Sequence, residues 1–192
     1  MTMRANLIAA LDIGTTKTCA VIGELSGDLS RRPGLKVLGV GQARTAGMRR
    51  EVVTHIEETT DSVKRAVKEA ELMAGVTVDR VYAGISGDHI QAFSSSGVVA
   101  VGGDEVVGAD VARVHEVAQA IALPPDRELI HAIPQEYMVD HQGGIKDPVG
   151  MAGTRLEAEV YLVTSASAST TNIRKAVSRA GYRVQELVLE PL

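Results

Sequence analysis

Ala9-Ala10-Leu11-Asp12-Ile13-Gly14-Thr15-Thr16-Lys17-Thr18-Cys19-Ala20-Val21-Ile22-Gly23 is two apolar runs of strand length joined by a short turn of Gly, Thr and Lys. The flanking runs force Gly14-Thr15-Thr16-Lys17 into a tight connection whose amides point outward. Such a turn is an anion nest. Backbone N–H groups, two hydroxyls and an ammonium can surround a phosphate, and Gly14 lets the chain approach with no Cβ in the way. Asp12 beside a phosphate would be repelled unless it holds Mg2+, through the metal's waters. The residues therefore point to a Mg-nucleotide, with Asp12, Gly14, Thr15, Thr16 and Lys17 as its contacts and Asp12 as the metal residue. A Walker A loop is excluded, because that loop opens a helix and Cys19 to Glu24 reads as strand. The alternative is a hairpin whose polar turn only faces water.

Leu11 to Lys17 resembles the first phosphate loop of the actin, Hsp70 and sugar-kinase superfamily, in which an Asp-x-Gly-Thr/Ser-Thr hairpin holds the β-phosphate of ATP. The 192 residues, 45% of them hydrophobic, suffice for a packed core in one domain or two small ones. With 20 basic residues against 24 acidic, charge gives no sign of a polyanion partner. Phe93, Tyr82, Tyr137, Tyr161 and Tyr182 are too scattered for a base-stacking platform, so no nucleic-acid partner is expected. The single Cys19 lies in an apolar strand and reads as a core residue in a reducing cytoplasm. Met1 to Asn6 lacks the pattern of a signal peptide, and no apolar run reaches the roughly 20 residues of a membrane span.

Further along, Gly27 to Gly34, with Asp28, Arg31, Arg32 and Pro33, reads as an exposed turn, Lys36 to Gly41 as a third strand and Gly47 to Glu51 as a solvated loop. Thr54 to Ala74 has helical periodicity, a Thr54–Glu57 capping box and Gly75 for the left-handed terminator. Asp79 to Ser86 is a strand, which makes the order β-β-β-α-β. A short strand over Gly97 to Val101 and a helix over Ala109 to Leu123, stopped by Pro124-Pro125, follow. His115-Glu116 lacks the second histidine of a zinc helix, since Gln119 stands there. Glu128 to Ile133 reads as a strand ending at Pro134, Glu136 to Val139 as a short extended piece, and Asp140 to Gly153 as a long Gly-rich loop. Thr154 to Ser165, a helix from Ser167 or Ser169 to Ala180 and Tyr182 to Glu190 complete the chain as a βαβ unit with parallel strands.

Leu11 to Lys17, Glu69-Ala70-Glu71-Leu72-Met73-Ala74, Ser86-Gly87-Asp88-His89-Ile90, Ile133-Pro134-Gln135-Glu136-Tyr137-Met138-Val139-Asp140 and Gly144-Ile145-Lys146-Asp147-Pro148-Val149-Gly150-Met151 together resemble the N-terminal part of the FtsA family of bacterial cell-division proteins. The resemblance spans essentially the whole chain. It implies an α/β fold, an actin-like (ribonuclease-H-like) half with an inserted small α+β subdomain. Residues 1–84 and 163–192 would form subdomain IA, and 85–162 the inserted subdomain IC. The implied cofactors are ATP and Mg2+. The inserted subdomain would mediate self-association and contact with other division proteins, with Ile133, Pro134, Gln135, Glu136, Tyr137, Ile145, Lys146 and Pro148 as candidate interaction residues.

The family's second phosphate loop, adenosine pocket, FtsZ-binding subdomains and membrane-binding helix have no counterpart in these residues. The chain is therefore expected to be a fragment that binds Mg-ATP weakly or not at all by itself. Glu190-Pro191 resembles the Glu-Pro that in Hsp70 and MreB relatives opens the helix between halves. Glu190 is thus a candidate catalytic carboxylate that orients a water, or equally an ordinary first-turn glutamate. The function implied is an ATP-binding scaffold on the cytoplasmic face of the membrane at the division site, linking the FtsZ ring to lipid and recruiting later division proteins, with ATP turnover left open. The competing functions are a small-molecule kinase or phosphatase of the same superfamily, and an Hsp70-like chaperone ATPase or a pilus-assembly relative of the FtsA family.

Overall fold

A computed structural model of the chain describes residues 7–27 and 34–190. The segment Met1 to Asn6, the turn expected over Asp28, Arg31, Arg32 and Pro33, and Pro191 lie outside them. The chain forms two units, one holding the polypeptide up to His89 and again from Ser167, the other Ile90–Ala166.

In the first unit β1 (Leu7–Ile13), β2 (Lys17–Ser26) and β3 (Gly34–Arg44) form an antiparallel meander, and β6 (Arg80–Ile85) and β11 (Arg183–Leu189) extend it in the order β11-β6-β1-β2-β3. The pairings of β6 with β1 and of β11 with β6 are parallel. Along β1 the alternation is strict: Ala9, Leu11 and Ile13 are buried while Ala10 and Asp12 face solvent. Helix α1 (Ile56–Ala74) buries Val63, Ala66, Val67 and Ala70 on one stripe, and Thr60 Oγ1 donates to Ala176 O of α3 (Ser167–Arg179) at 3.2 Å.

Two glycines set the distance between α1 and β3. A Cβ at Gly39 would stand 2.3 Å from Ala70 O, and one at Gly41 would stand 2.0 Å from Ala66 O. On the sheet edge, Val40 N–H donates to Met73 Sδ at 3.3 Å and Gln42 N–H to Glu69 Oε2 at 2.7 Å, so α1 satisfies amides that a second strand could otherwise capture.

The start of α1 differs from the capping box. His55 is the N-cap, its Nδ1 accepting from Glu58 N–H, while Thr54 Oγ1 donates to Gly47 O at 3.1 Å. The end agrees with the sequence, since Gly75 has φ 66°. Between β3 and α1 the expected loop contains a small hairpin, β4 (Met48–Arg49) and β5 (Val52–Val53), turned by Arg50 and Glu51 at φ 49° and 60°.

The second unit has an antiparallel sheet in the order β7-β10-β8-β9, built from β7 (Ile90–Ala100), β10 (Arg155–Ala166), β8 (Arg127–Val139) and β9 (Gln142–Ile145). Helix α2 (Gly108–Gln119) lays Val114 and Ala118 onto Leu156, Ala158, Val160 and Leu162. The same close approach recurs here, with a Cβ at Gly97 only 2.2 Å from Val114 O.

Several boundaries move. Helix α2 stops at Gln119, where Ala120 leaves helical geometry at ψ 57°, before the prolines are reached. Strand β8 runs through Pro134, which lies at a register slip against β10 and on a stretch that β9 does not pair. The Gly-rich loop contains β9, turned by Asp140 and His141 at φ 45° and 72°. Strand β7 includes Ser94 to Ser96.

The expected βαβ unit is not formed by its own two strands, because β10 belongs to the second sheet and β11 pairs with β6. Strand β10 keeps pairing with β8 as far as Ala166, and Ile90 pairs with Ser165. The change of unit therefore falls at 89/90 and 166/167, later than 84/85 and 162/163.

Gly41→Ala is expected to lower stability by about 1–3 kcal/mol through overpacking against the α1 backbone. Gly103→Ala, with nothing within 4 Å of its added Cβ, is expected to be close to neutral. Urea denaturation of both checks this, and equal midpoints would mean that glycine does not set the spacing of α1 on the sheet.

Candidate functional site

Parallel pairing brings the carboxyl ends of β1, β6 and β11 level, the end of such sheets at which ligands bind. The register places Leu11 beside Ala83 and Leu189 beside Ile85, and Glu190 N–H donates to Ile85 O at 3.1 Å. Alternation along β1 turns Asp12 outward at this end. Asp12, Ser86 and Glu190 thus come together at the ends of the strands, close enough for Ser86 and Asp12 to act on the Glu190 carboxyl. Glycine makes room for them: a Cβ at Gly84 would lie 3.1 Å from Glu190 Cγ, and one at Gly87 would lie 2.9 Å from Glu51 Cβ.

Glu190 is exposed as a residue, yet its carboxyl is held above the usual glutamate range. Desolvation is the largest cause; the Ser86 hydroxyl opposes it, and the nearby Asp12 and Glu51 carboxylates add to it.

The β1–β2 turn is closed by Gly14 N–H donating to Lys17 O at 3.0 Å, while Thr16 O accepts from Thr45 N–H at 3.0 Å. The Gly14 amide is therefore directed into the hairpin, a correction to the outward-pointing nest read from the sequence. Thr18 and Thr45 share a buried hydroxyl hydrogen bond of 2.7 Å beneath the turn. Thr15 Oγ1 donates to Glu51 Oε1 at 2.8 Å and accepts from Glu51 N–H at 3.2 Å. Asp12, Thr16 and Lys17 face solvent.

This donor set suits a Mg-phosphate group, with one exposed carboxylate, a hydroxyl and an ammonium within a few residues. Among the described residues no group of three His, Cys, Asp or Glu side chains is placed to hold a metal directly. Mg2+ characteristically binds through one or two carboxylates, keeping waters and phosphate oxygens as its other ligands.

Sequence reasoning missed Glu51. Its backbone conformation is one that Gly or Asn would have announced, and the residue gives no such signal.

In the second unit the candidate interaction residues divide. Tyr137 and Pro148 are buried, which removes them from any contact surface. Tyr137 Oη lies 2.7 Å from His115 Nε2 with the rings stacked, and the histidine of the rejected zinc reading is thereby engaged. Burial pushes the His115 imidazole down and the Tyr137 phenol up, with Asp147 adding to the latter. Ile133, Glu136 and Ile145 are half-buried, whereas Pro134, Gln135 and Lys146 are exposed. Lys146 Nζ donates to Gln135 O at 3.1 Å, joining the two stretches.

Residues 87–164 match the family described as the SHS2 domain inserted in FtsA. The chain is 42% identical over 186 residues to the cell division protein FtsA of Pseudomonas aeruginosa, covering 97% of this chain and 44% of that one. It is 39% identical to the FtsA of Neisseria meningitidis, covering 100% and 45%, and 37% identical to that of Escherichia coli, covering 97% and 43%. The chain thus spans less than half the length of these curated relatives. Among solved structures, the PilM-PilN type IV pilus biogenesis complex matches 96% of this chain and 47% of its own with a TM-score of 0.62 at 16% identity, a likeness of fold.

A carboxyl whose folded pKa is raised contributes stability that is complete below its unfolded value and is lost as pH rises through the folded one. Glu190→Gln is therefore expected to raise the thermal midpoint slightly near neutral pH, the difference from wild type vanishing in acid. A constant difference across the pH range would show that the Glu190 carboxyl is not held above the usual glutamate range in the folded protein.

Proposed function

The chain belongs to the FtsA family of cell-division proteins, and from that premise we propose that it is the first phosphate-holding part of an actin-like, ATP-binding scaffold. The full-length protein would link the FtsZ ring to the membrane at the septum and recruit later division proteins. The observation that carries the proposal is the gathering of Asp12, Ser86 and Glu190 at the carboxyl ends of three parallel strands, next to Thr16 and Lys17.

In this reading Asp12 would hold the waters of Mg2+, while Thr15, Thr16 and Lys17 would contact phosphate oxygens. Bound Mg2+ would neutralise phosphate charge and orient the nucleotide. Glu190 would orient a water through its carboxylate oxygens. Hydrolysis would be weak at most.

The Ile90–Ala166 unit supplies the surface for self-association and division partners, with Pro134, Gln135 and Lys146 as its outward residues. An SHS2 insertion favours a scaffold over a small-molecule kinase or chaperone-type ATPase, for which a phosphate loop alone would serve. No helix among the described residues is long and apolar enough to cross a membrane. Contact with lipid and with FtsZ is assigned to the remainder of the full-length protein, which would act on the cytoplasmic side.

Asp12→Ala in the full-length protein is expected to weaken Mg-dependent ATP binding at least about tenfold, a loss of about 1.4 kcal/mol, with circular dichroism unchanged. Filaments on lipid bilayers with ATP are expected from wild type and lost in the variant. Unaltered binding in the variant, or phosphoryl transfer to sugars by wild type, would contradict the reading.

A further inference from the structure

Glu51 occupies a hydroxyl that a bound phosphate would need. The β4–β5 turn carries Arg50 and Glu51 at consecutive positive φ, a geometry that favours Asn-Gly and that a glutamate adopts against its steric preference. From that turn the Glu51 carboxylate accepts from Thr15 Oγ1 at 2.8 Å, while its own N–H donates back to the same oxygen at 3.2 Å. The pair locks both faces of the Thr15 hydroxyl. A Cβ at Gly87 would stand 2.9 Å from Glu51 Cβ, so glycine leaves the space in which this side chain lies.

A carboxylate and a phosphate are competing anionic acceptors for one donor, and at hydrogen-bond range from the same hydroxyl they repel each other. We propose that Glu51 is a displaceable carboxylate latch on Thr15, and that the phosphate of a Mg-nucleotide binds by displacing it. This rests on the reading that the Gly14 to Lys17 turn takes nucleotide phosphate. It adds a regulatory contact that holds the phosphate loop in a closed state until Mg-nucleotide arrives. The latch acts through Thr15, so Glu51 is a positioning residue. A purely structural bond would fasten the two turns together and leave affinity untouched.

The test is calorimetric titration of the full-length protein with Mg-ATP, comparing wild type, Glu51→Gly, Glu51→Gln and Asp12→Ala, with the thermal midpoint of each nucleotide-free protein as second readout. Glu51→Gly removes the carboxylate and suits the left-handed backbone. It is expected to bind Mg-ATP about tenfold tighter with its midpoint held within a few degrees of wild type. Glu51→Gln keeps an acceptor for Thr15 and loses the charge, and is expected to gain about threefold; being isosteric, it carries the test if the glycine variant fails to fold. Wild-type or weaker affinity in both Glu51 variants, with Asp12→Ala still weakening binding, would overturn the latch and leave the nucleotide site standing. If Asp12→Ala and both Glu51 variants all match wild type, the nucleotide reading falls and the latch with it.

Discussion

The parallel pairing of β6 with β1 and with β11 fixes where everything else in the first unit can go. It requires the three strands to point the same way, so their carboxyl ends share one edge of the sheet. The alternation of β1 then does the rest: with Ala9, Leu11 and Ile13 in the core, Asp12 has only the outward position at that edge. A one-residue slip of β1 would bury the carboxylate and expose the leucine. Burial of a few aliphatic side chains thereby aims a charged one, and the hairpin to β2 begins at the point where the carboxylate emerges.

Both units solve the problem of seating a helix on a sheet in the same way. Gly39 and Gly41 under α1, and Gly97 under α2, remove side chains where the helix backbone comes within contact range. The helices contribute small or β-branched residues at the contact, Ala66, Ala70 and Val63 in one case and Val114 and Ala118 in the other. Each unit consequently has its own compact core despite a chain containing a single phenylalanine and no tryptophan.

What the sequence disclosed was local. The hairpin over Leu7 to Ser26, the stripe of α1 and its Gly75 terminator rest on alternation, helical spacing and a glycine, and each signal lies within a few residues of its effect. What it concealed depended on distant partners. Thr54 satisfies the pattern of a capping box, but Gly47 O draws its hydroxyl away and His55 takes the cap. Pro134 reads as a strand end because a proline breaks a ladder, yet the bulge against β10 gives it a place. Strand β10 and helix α3 are adjacent in sequence and belong to different sheets, which only the pairing of β11 with β6 reveals. At the turn, the outward placement of Asp12, Thr16 and Lys17 was readable from the sequence, whereas the inward Gly14 amide and the Glu51 bond to Thr15 were not. The latter joins residues 36 positions apart through a strained turn that no glycine announces.

The central claim is that the carboxyl edge of β1, β6 and β11, with the β1–β2 turn, is where a Mg-nucleotide phosphate sits. Amide chemical-shift mapping by NMR tests it most directly, because it reports weak binding residue by residue. Titration with Mg-ATP is predicted to move the amides of Thr15, Thr16 and Lys17 first, with those of Ser86, Gly87 and Glu190 following, and to leave the Ile90–Ala166 unit unshifted. Shifts confined to that unit, or none at the turn when Mg-ATP saturates the protein elsewhere, would contradict the account.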